Sequence, residues 1–125
     1  MRTRDISIEG CTYSQVLEIV SNKWTALVIY SLENGTVRYG EIMGRIEGIS
    51  QKMLTQTLRQ LERDGLVSRK VTPTVPPIVE YTLTPLGESL VSCMRMLRDW
   101  AFDHFSFVQK AREEYDLGGT GTEAQ

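Results

Sequence analysis

Lys52, Gln56, Arg59 and Arg63 follow one another at spacings of four, three and four residues. At about 100° per residue this rhythm places all of them on one face of a helix, with Thr55 and Gln60 at its flanks. A solvated helix face ordinarily mixes both signs and gains from i,i+4 pairs. This one collects three cations and two amides, while Glu62 and Asp64 fall off to either side. The chemistry open to such a face is recognition of nucleic acid. Arg and Lys suit phosphates and guanine edges, Gln suits adenine, and Thr suits phosphate or the thymine methyl. The other reading of the same residues is the soluble outer face of an ordinary amphipathic helix, and the neighbouring elements decide between the two.

The remaining reactive groups are two thiols. Cys11 directly precedes a helix start at Thr12, and helix N-termini favour the thiolate and so raise reactivity. The alternative for Cys11 is a small apolar side chain tucked against a core. Cys93 falls on the apolar stripe of the last helix and reads as packing. The single histidine, His104, lies near the end of that helix. Zinc needs ligands clustered at characteristic spacing, and a thiol hydrolase or reductase needs His and an orienting acid beside its Cys. With neither pattern, and without a Gly-rich phosphate loop or paired carboxylates, the expectation is a non-enzyme that uses no metal or cofactor.

The cationic face needs a helix, and residues 49–67 supply one with both ends marked. Ser50 can cap it by accepting from an orphan N–H of the first turn. Gly65 suits the left-handed residue that ends many helices, and Leu54, Leu58 and Leu61 form the inward stripe. The expected recognition helix therefore covers about residues 50–64. Upstream, Thr12 and Gln15 match a capping box that opens a short helix with Val16, Leu17, Ile19 and Val20. Asn22 can cap a second helix over about residues 23–32, with Trp24, Leu27, Val28 and Leu32 as its buried stripe. Trp24 reads as a core anchor. Asn34 and Gly35 stop that helix. Residues 36–38 can form a short strand, and residues 39–46 a third helix with Tyr39, Ile42 and Ile46 on one side. A tight turn through Gly48 leads to Ser50. Two helices joined by so short a Gly-containing turn make a helix-turn-helix.

After Gly65 the period changes from helix to strand. Residues 66–71 and 78–83 are β-rich and flank a loop with three prolines. Together, residues 66–83 read as a β-hairpin wing, on which Arg69 and Lys70 can reach phosphates or the minor groove. Thr84 and Pro85 then open a long last helix, expected to run to about residue 113. Leu86, Leu90, Cys93, Leu97 and Trp100 repeat in a 4-3-4-3 rhythm, widened by Met94, Ala101, Phe105 and Val108. That is more apolar surface than one small domain buries. A partner helix from a second copy is expected to cover it, with Leu90, Met94, Leu97, Trp100, Ala101 and Phe105 in the contact. Folding back on the first two helices is the other way to cover it. The expected fold class is mainly α with a small β-hairpin wing (α+β). It is a winged helix-turn-helix with N-terminal and long C-terminal dimerisation helices.

At 125 residues the chain makes one domain. Its expected division is a flexible arm over residues 1–10, a domain over 11–113 and a disordered tail over 114–125. Net charge is −2, but residues 38–70 hold seven Lys/Arg against four acids, a local +3 on an otherwise acidic body. That fits nucleic-acid binding through one face. No stretch approaches the ~18–20 apolar residues of a membrane span, and the first ten residues lack the apolar centre of a signal peptide. A cytoplasmic protein with reduced thiols is expected.

A set of motifs then carries a resemblance. Cys11 comes first, then Asn22, Lys23, Trp24 and Thr25, then Arg38, Tyr39, Gly40, Glu41 and Ile42. Gly48, Ile49, Ser50, Gln51, Lys52, Met53 and Leu54 follow, and residues 58–67 read LRQLERDGLV. Last come Pro76 and Pro77 with Val79, Glu80 and Tyr81, and Leu83 with Thr84. In this order they resemble the HxlR-type winged helix-turn-helix transcription regulators over about residues 11–100.

The resemblance implies a homodimer on a rough palindrome of double-stranded DNA, with recognition helices in successive major grooves ~34 Å apart. It implies a repressor more often than an activator. Thr55, Gln56 and Arg59 would read bases. Lys52, Arg63, Arg69, Lys70 and Arg38 would hold phosphates, and Ser50 and Gln51 complete the DNA-facing set. It also implies that Cys11 can sense quinones, aldehydes or oxidants, although Thr12 stands where the family usually has Pro. A non-covalent small aromatic effector, or a winged-helix scaffold that binds protein, are the alternatives.

Overall fold

The computed structural model describes residues 12–118, so Cys11 and the expected N-terminal arm lie outside the described residues. The elements run α1 (Thr12–Ser21), α2 (Lys23–Ser31), β1 (Val37–Arg38), α3 (Tyr39–Arg45), α4 (Gln51–Arg63), β2 (Val67–Thr72), β3 (Ile78–Leu83) and α5 (Pro85–Gly118). The chain divides into two compact units between Val91 and Ser92. The first holds everything up to the opening turns of α5, and the second is the remainder of that helix. Among the described residues no helix is long and apolar enough to cross a membrane.

The core of the first unit forms where α2 and α3 meet and where α2 lies on α4. Val28, Ile29, Leu32, Ile42, Leu54, Leu58 and Leu61 are all buried there. Asn22 caps α2 as its position predicts: its side-chain oxygen accepts from the N–H groups of Trp24 and Thr25 at 2.9 and 3.2 Å. At the other end of α2, the Arg45 guanidinium donates to the Ser31 carbonyl at 2.9 Å and pairs with Glu41 at 3.1 Å. One carbonyl that the helix leaves without a partner is thereby satisfied, and α3 is tied to α2.

The inward face of α2 is rotated from the expected one. Thr25, Val28 and Ile29 are buried, whereas Trp24 is half-buried and Leu27 exposed. Packing against α4 selects the row that contains Ile29. Trp24 is left at the margin, with the Lys23 ammonium 4.6 Å from the centroid of its ring. At α1, Thr12 is already helical rather than the residue before the helix. Assignments of a helix end differ by such a step.

The wing is part of a three-stranded antiparallel sheet with β3 in the middle. β1 adds to one edge of β3, pairing Val37 with Tyr81 and Arg38 with Glu80. β2 adds to the other edge, pairing Val67 with Leu83 and running to Thr72 opposite Ile78. Alternation along each strand gives one face to Val37, Val67, Tyr81 and Leu83, all buried. Arg38, Lys70 and Glu80 share the other face.

Thr84 locks the end of this sheet to the start of α5. Its hydroxyl donates to the Gly65 carbonyl at 2.6 Å and accepts from the Gly87 N–H at 3.1 Å. A Cβ on Gly87 would run into the carbonyl of Leu66 and sit 3.1 Å from the Leu83 side chain. Only glycine allows this approach.

The last helix continues to Gly118, past the expected end near residue 113, so residues 114–118 are helical. Its buried positions match the expected stripe only in part, at Met94 and, half-buried, at Leu90. Gly87, Val91 and Met94 are buried, whereas Leu86, Cys93, Leu97 and Trp100 are exposed. The 4-3 rhythm marks a face that this single chain leaves open.

Candidate nucleic-acid interface

α4 is built to present one face. The Ser50 hydroxyl accepts from the Met53 N–H at 3.0 Å, and its own proton has no acceptor among the described residues. The helix closes on Gly65 at φ +76°, with the Leu66 N–H returning to the Leu61 carbonyl at 3.0 Å. Leu54, Thr57, Leu58 and Leu61 are buried, which turns Lys52, Gln56, Arg59 and Arg63 outward, all exposed. Among the described residues these four have no hydrogen-bond or ion-pair partner.

Gln51, Lys52, Thr55, Gln56 and Arg59 line one surface hollow. Five of the expected DNA-facing residues therefore come together there. Arg63 does not join them: it lines a separate hollow with Gln15, Glu18 and Asn22, two of these from α1. Twelve residues of helix, about 18 Å, separate the two ends of α4. Gln60 is occupied, its amide donating to the Asp64 carboxylate at 3.1 and 3.2 Å.

The wing cations are partly offset by acids. Arg69 pairs with Glu62 of α4 at 3.6 Å, both side chains a little under half exposed. Such an exposed pair is worth little, but it orients Arg69 toward α4. Lys70 and Arg38 sit on either side of Glu80 in the sheet, where opposite charges on adjacent strands attract. Arg38 also lines a hollow with Tyr39, Pro76 and Pro77, which places it beside the tip of the wing. Burial raises the Tyr81 phenol above its ordinary 10.0, and the nearby Arg69 opposes that rise.

Two participants escape a reading by periodicity. Glu62 looks like an off-face acid until β2 folds back beside it. Tyr39 counts as part of an apolar stripe, yet its hydroxyl donates to the Gln51 carbonyl at 3.2 Å and lies 2.9 Å from Thr55 Oγ1. It ties the start of α3 to the first turns of α4. The tyrosine oxygen, absent from phenylalanine, is the one signal in the sequence that could have pointed to this.

The thiols and the apolar face are distributed as follows. Cys11 lies outside the described residues, and Cys93 is a free, exposed thiol. Of the residues expected to meet a second copy, Leu90 is half-buried and Met94 is buried. Leu97, Trp100, Ala101 and Phe105 are exposed. Among the described residues no group of three or more His, Cys, Asp or Glu is placed to hold a metal.

Comparison with known proteins agrees with this fold. The family described as HxlR-like helix-turn-helix matches residues 19–109. YkvN of Bacillus subtilis, an uncharacterized HTH-type transcriptional regulator, is 44% identical over 108 residues, which are 86% of this chain and 91% of YkvN. YtfH of Escherichia coli K12, described in the same words, is 38% identical over 114 residues, 91% of this chain and 90% of YtfH. Among solved structures, the redox regulator HypR in its reduced form superposes with a TM-score of 0.76 at 32% identity, covering 80% of this chain and 99% of HypR. The reduced form of the transcriptional regulator YodB from Bacillus subtilis gives 0.67 at 35% identity, covering 75% and 93%.

Proposed function

The chain belongs to the HxlR-like helix-turn-helix family and is a DNA-binding transcription regulator of the winged-helix type, and from that premise we propose that it is a cytoplasmic, homodimeric repressor. Residues 11–113 form its DNA-binding and dimerisation domain. α4 enters the major groove with Thr55, Gln56 and Arg59 toward the bases. Ser50, Gln51, Lys52 and Arg63 serve the helix on its phosphate side, and Arg38, Arg69 and Lys70 hold the flanking backbone. The observation that carries this reading is the exposed run of Lys52, Gln56 and Arg59, unpartnered among the described residues, beside a capped helix start. N-terminal residues of a recognition helix are the ones that meet base edges.

Dimerisation rests on the open face of α5, where Leu97 is 66% and Trp100 51% exposed. Apolar side chains at heptad spacing pair helices. Two copies then set two α4 helices on a pseudo-palindromic operator. The proposed signal is an electrophile or oxidant acting at Cys11, a reading supported by the family resemblance and by the similarity to proteins described as redox regulators. A second reading has its own observation. Leu27, Tyr30 and Ile46, with Arg45 and Glu47, line an open surface hollow of about 420 Å³, whose apolar part is where a small aromatic effector would rest.

The deciding experiment is affinity for DNA upstream of the protein's own gene against a scrambled duplex at ~0.15 M salt. It is repeated after diamide and then after thiol reductant, with wild type and Cys11→Ser. Preference that oxidant abolishes and reductant restores, only in wild type, supports the thiol switch. Preference indifferent to oxidant directs attention to the aromatic effector. Absence of any DNA binding overturns the regulator.

A further inference from the structure

We propose that Thr55 meets the operator as a hydrogen-bond acceptor only, because Tyr39 takes up its single hydroxyl proton; the inference rests on α4 lying in the major groove. The phenol of Tyr39 touches two oxygens, the Gln51 carbonyl at 3.2 Å and Thr55 Oγ1 at 2.9 Å. A carbonyl can only accept, and a phenol has one proton to give. Both contacts are satisfied together in one way: Tyr39 donates to Gln51, and Thr55 donates to Tyr39. The Thr55 oxygen then has only lone pairs left to offer a further partner, and Thr55 lines a hollow with Lys52, Gln56 and Arg59.

In the major groove lone pairs are matched by exocyclic amines, adenine N6 or cytosine N4. Thymine O4, guanine O6 and phosphate oxygens are acceptors themselves and repel such a group. Tyr39 is therefore a positioning residue that sets the donor–acceptor sense of a neighbour. A threonine free to rotate its proton would accept either class of base. The operator half-site should carry a base amine on the edge that faces Thr55.

The test measures wild type, Tyr39→Phe and Thr55→Val against a panel of duplexes. Each base pair of the half-site is replaced in turn, and folding of each variant is checked by circular dichroism. Wild type should favour the amine-bearing edge at one position by on the order of tenfold, the worth of a single hydrogen bond. Thr55→Val should erase that preference. Tyr39→Phe, which frees the threonine proton, should narrow it to about twofold while preferences elsewhere in the half-site persist. A Tyr39→Phe protein that keeps the preference, or that loses affinity equally at every position, overturns the inference and leaves the regulator standing. Wild type with no preference at any position overturns both.

Discussion

Side chains on the proposed DNA-facing surface differ in how free they are to act. Lys52, Gln56 and Arg59 are unpartnered among the described residues, Arg69 is drawn to Glu62 at 3.6 Å, and Lys70 lies opposite Glu80. Arg59→Ala should therefore cost about 1–3 kcal/mol against the preferred operator and relax selection at one base pair. Lys70→Ala should weaken all duplexes alike and lower the salt slope by about one. Titrations of both variants across a salt series separate these behaviours, and identical losses on every sequence would remove Arg59 from the base-reading set. Tyr81 gives a pH signature. Burial raises its phenol above 10.0, so the folded state favours the neutral form. That contribution to stability is complete below pH ~10 and is lost as pH rises from there through the folded value. Denaturant titrations should show wild type weakening across that alkaline range while Tyr81→Phe changes less, and parallel curves would refute it. The outward cations were legible in the sequence because helical spacing alone sorts them. The Tyr39 hydroxyl, Glu62 and Tyr81 were not, because each acts on a residue of another element, and periodicity describes one element at a time.

Element boundaries were legible wherever a residue type has a local cause. Asn22 caps α2, Ser50 caps α4, Gly65 takes the left-handed turn and Pro85 opens α5. Rotation of an element about its own axis was less legible. Both α2 and α5 carry more apolar residues than one face can bury, and the choice among them falls to the partner helix or sheet. Gly87 belongs to that choice, since no local turn requires it and the Leu66 carbonyl alone forbids a side chain there. Gly87→Ala should destabilise the fold by about 1–3 kcal/mol through overpacking. Gly44→Ala is the control: it lies within α3 with nothing near its would-be Cβ, and it should be neutral or stabilising by up to about 1 kcal/mol. Thermal melts that rank the two variants the other way would show that the contact at Leu66 yields easily.

For the molecule as a whole, the charge pattern and the open helix face were both visible in the sequence, as a +3 stretch on a −2 chain and as a 4-3 rhythm. In the proposed dimer a second copy covers that face, so the prediction is one of mass. Leu97→Glu combined with Trp100→Glu should halve the particle mass measured by light scattering and weaken operator binding by at least tenfold, since two half-sites would no longer be held together. An unchanged mass would place the interface elsewhere. The hydroxyl shared by Tyr39, Gln51 and Thr55 has a further consequence for descent. Tyrosine and phenylalanine codons differ by one nucleotide. A duplicated gene can thus shift what its product selects at one operator position while every side chain that touches a base stays as it was. Divergence between paralogues would then be written behind the reading surface, where a comparison restricted to DNA-contacting residues finds the two proteins identical.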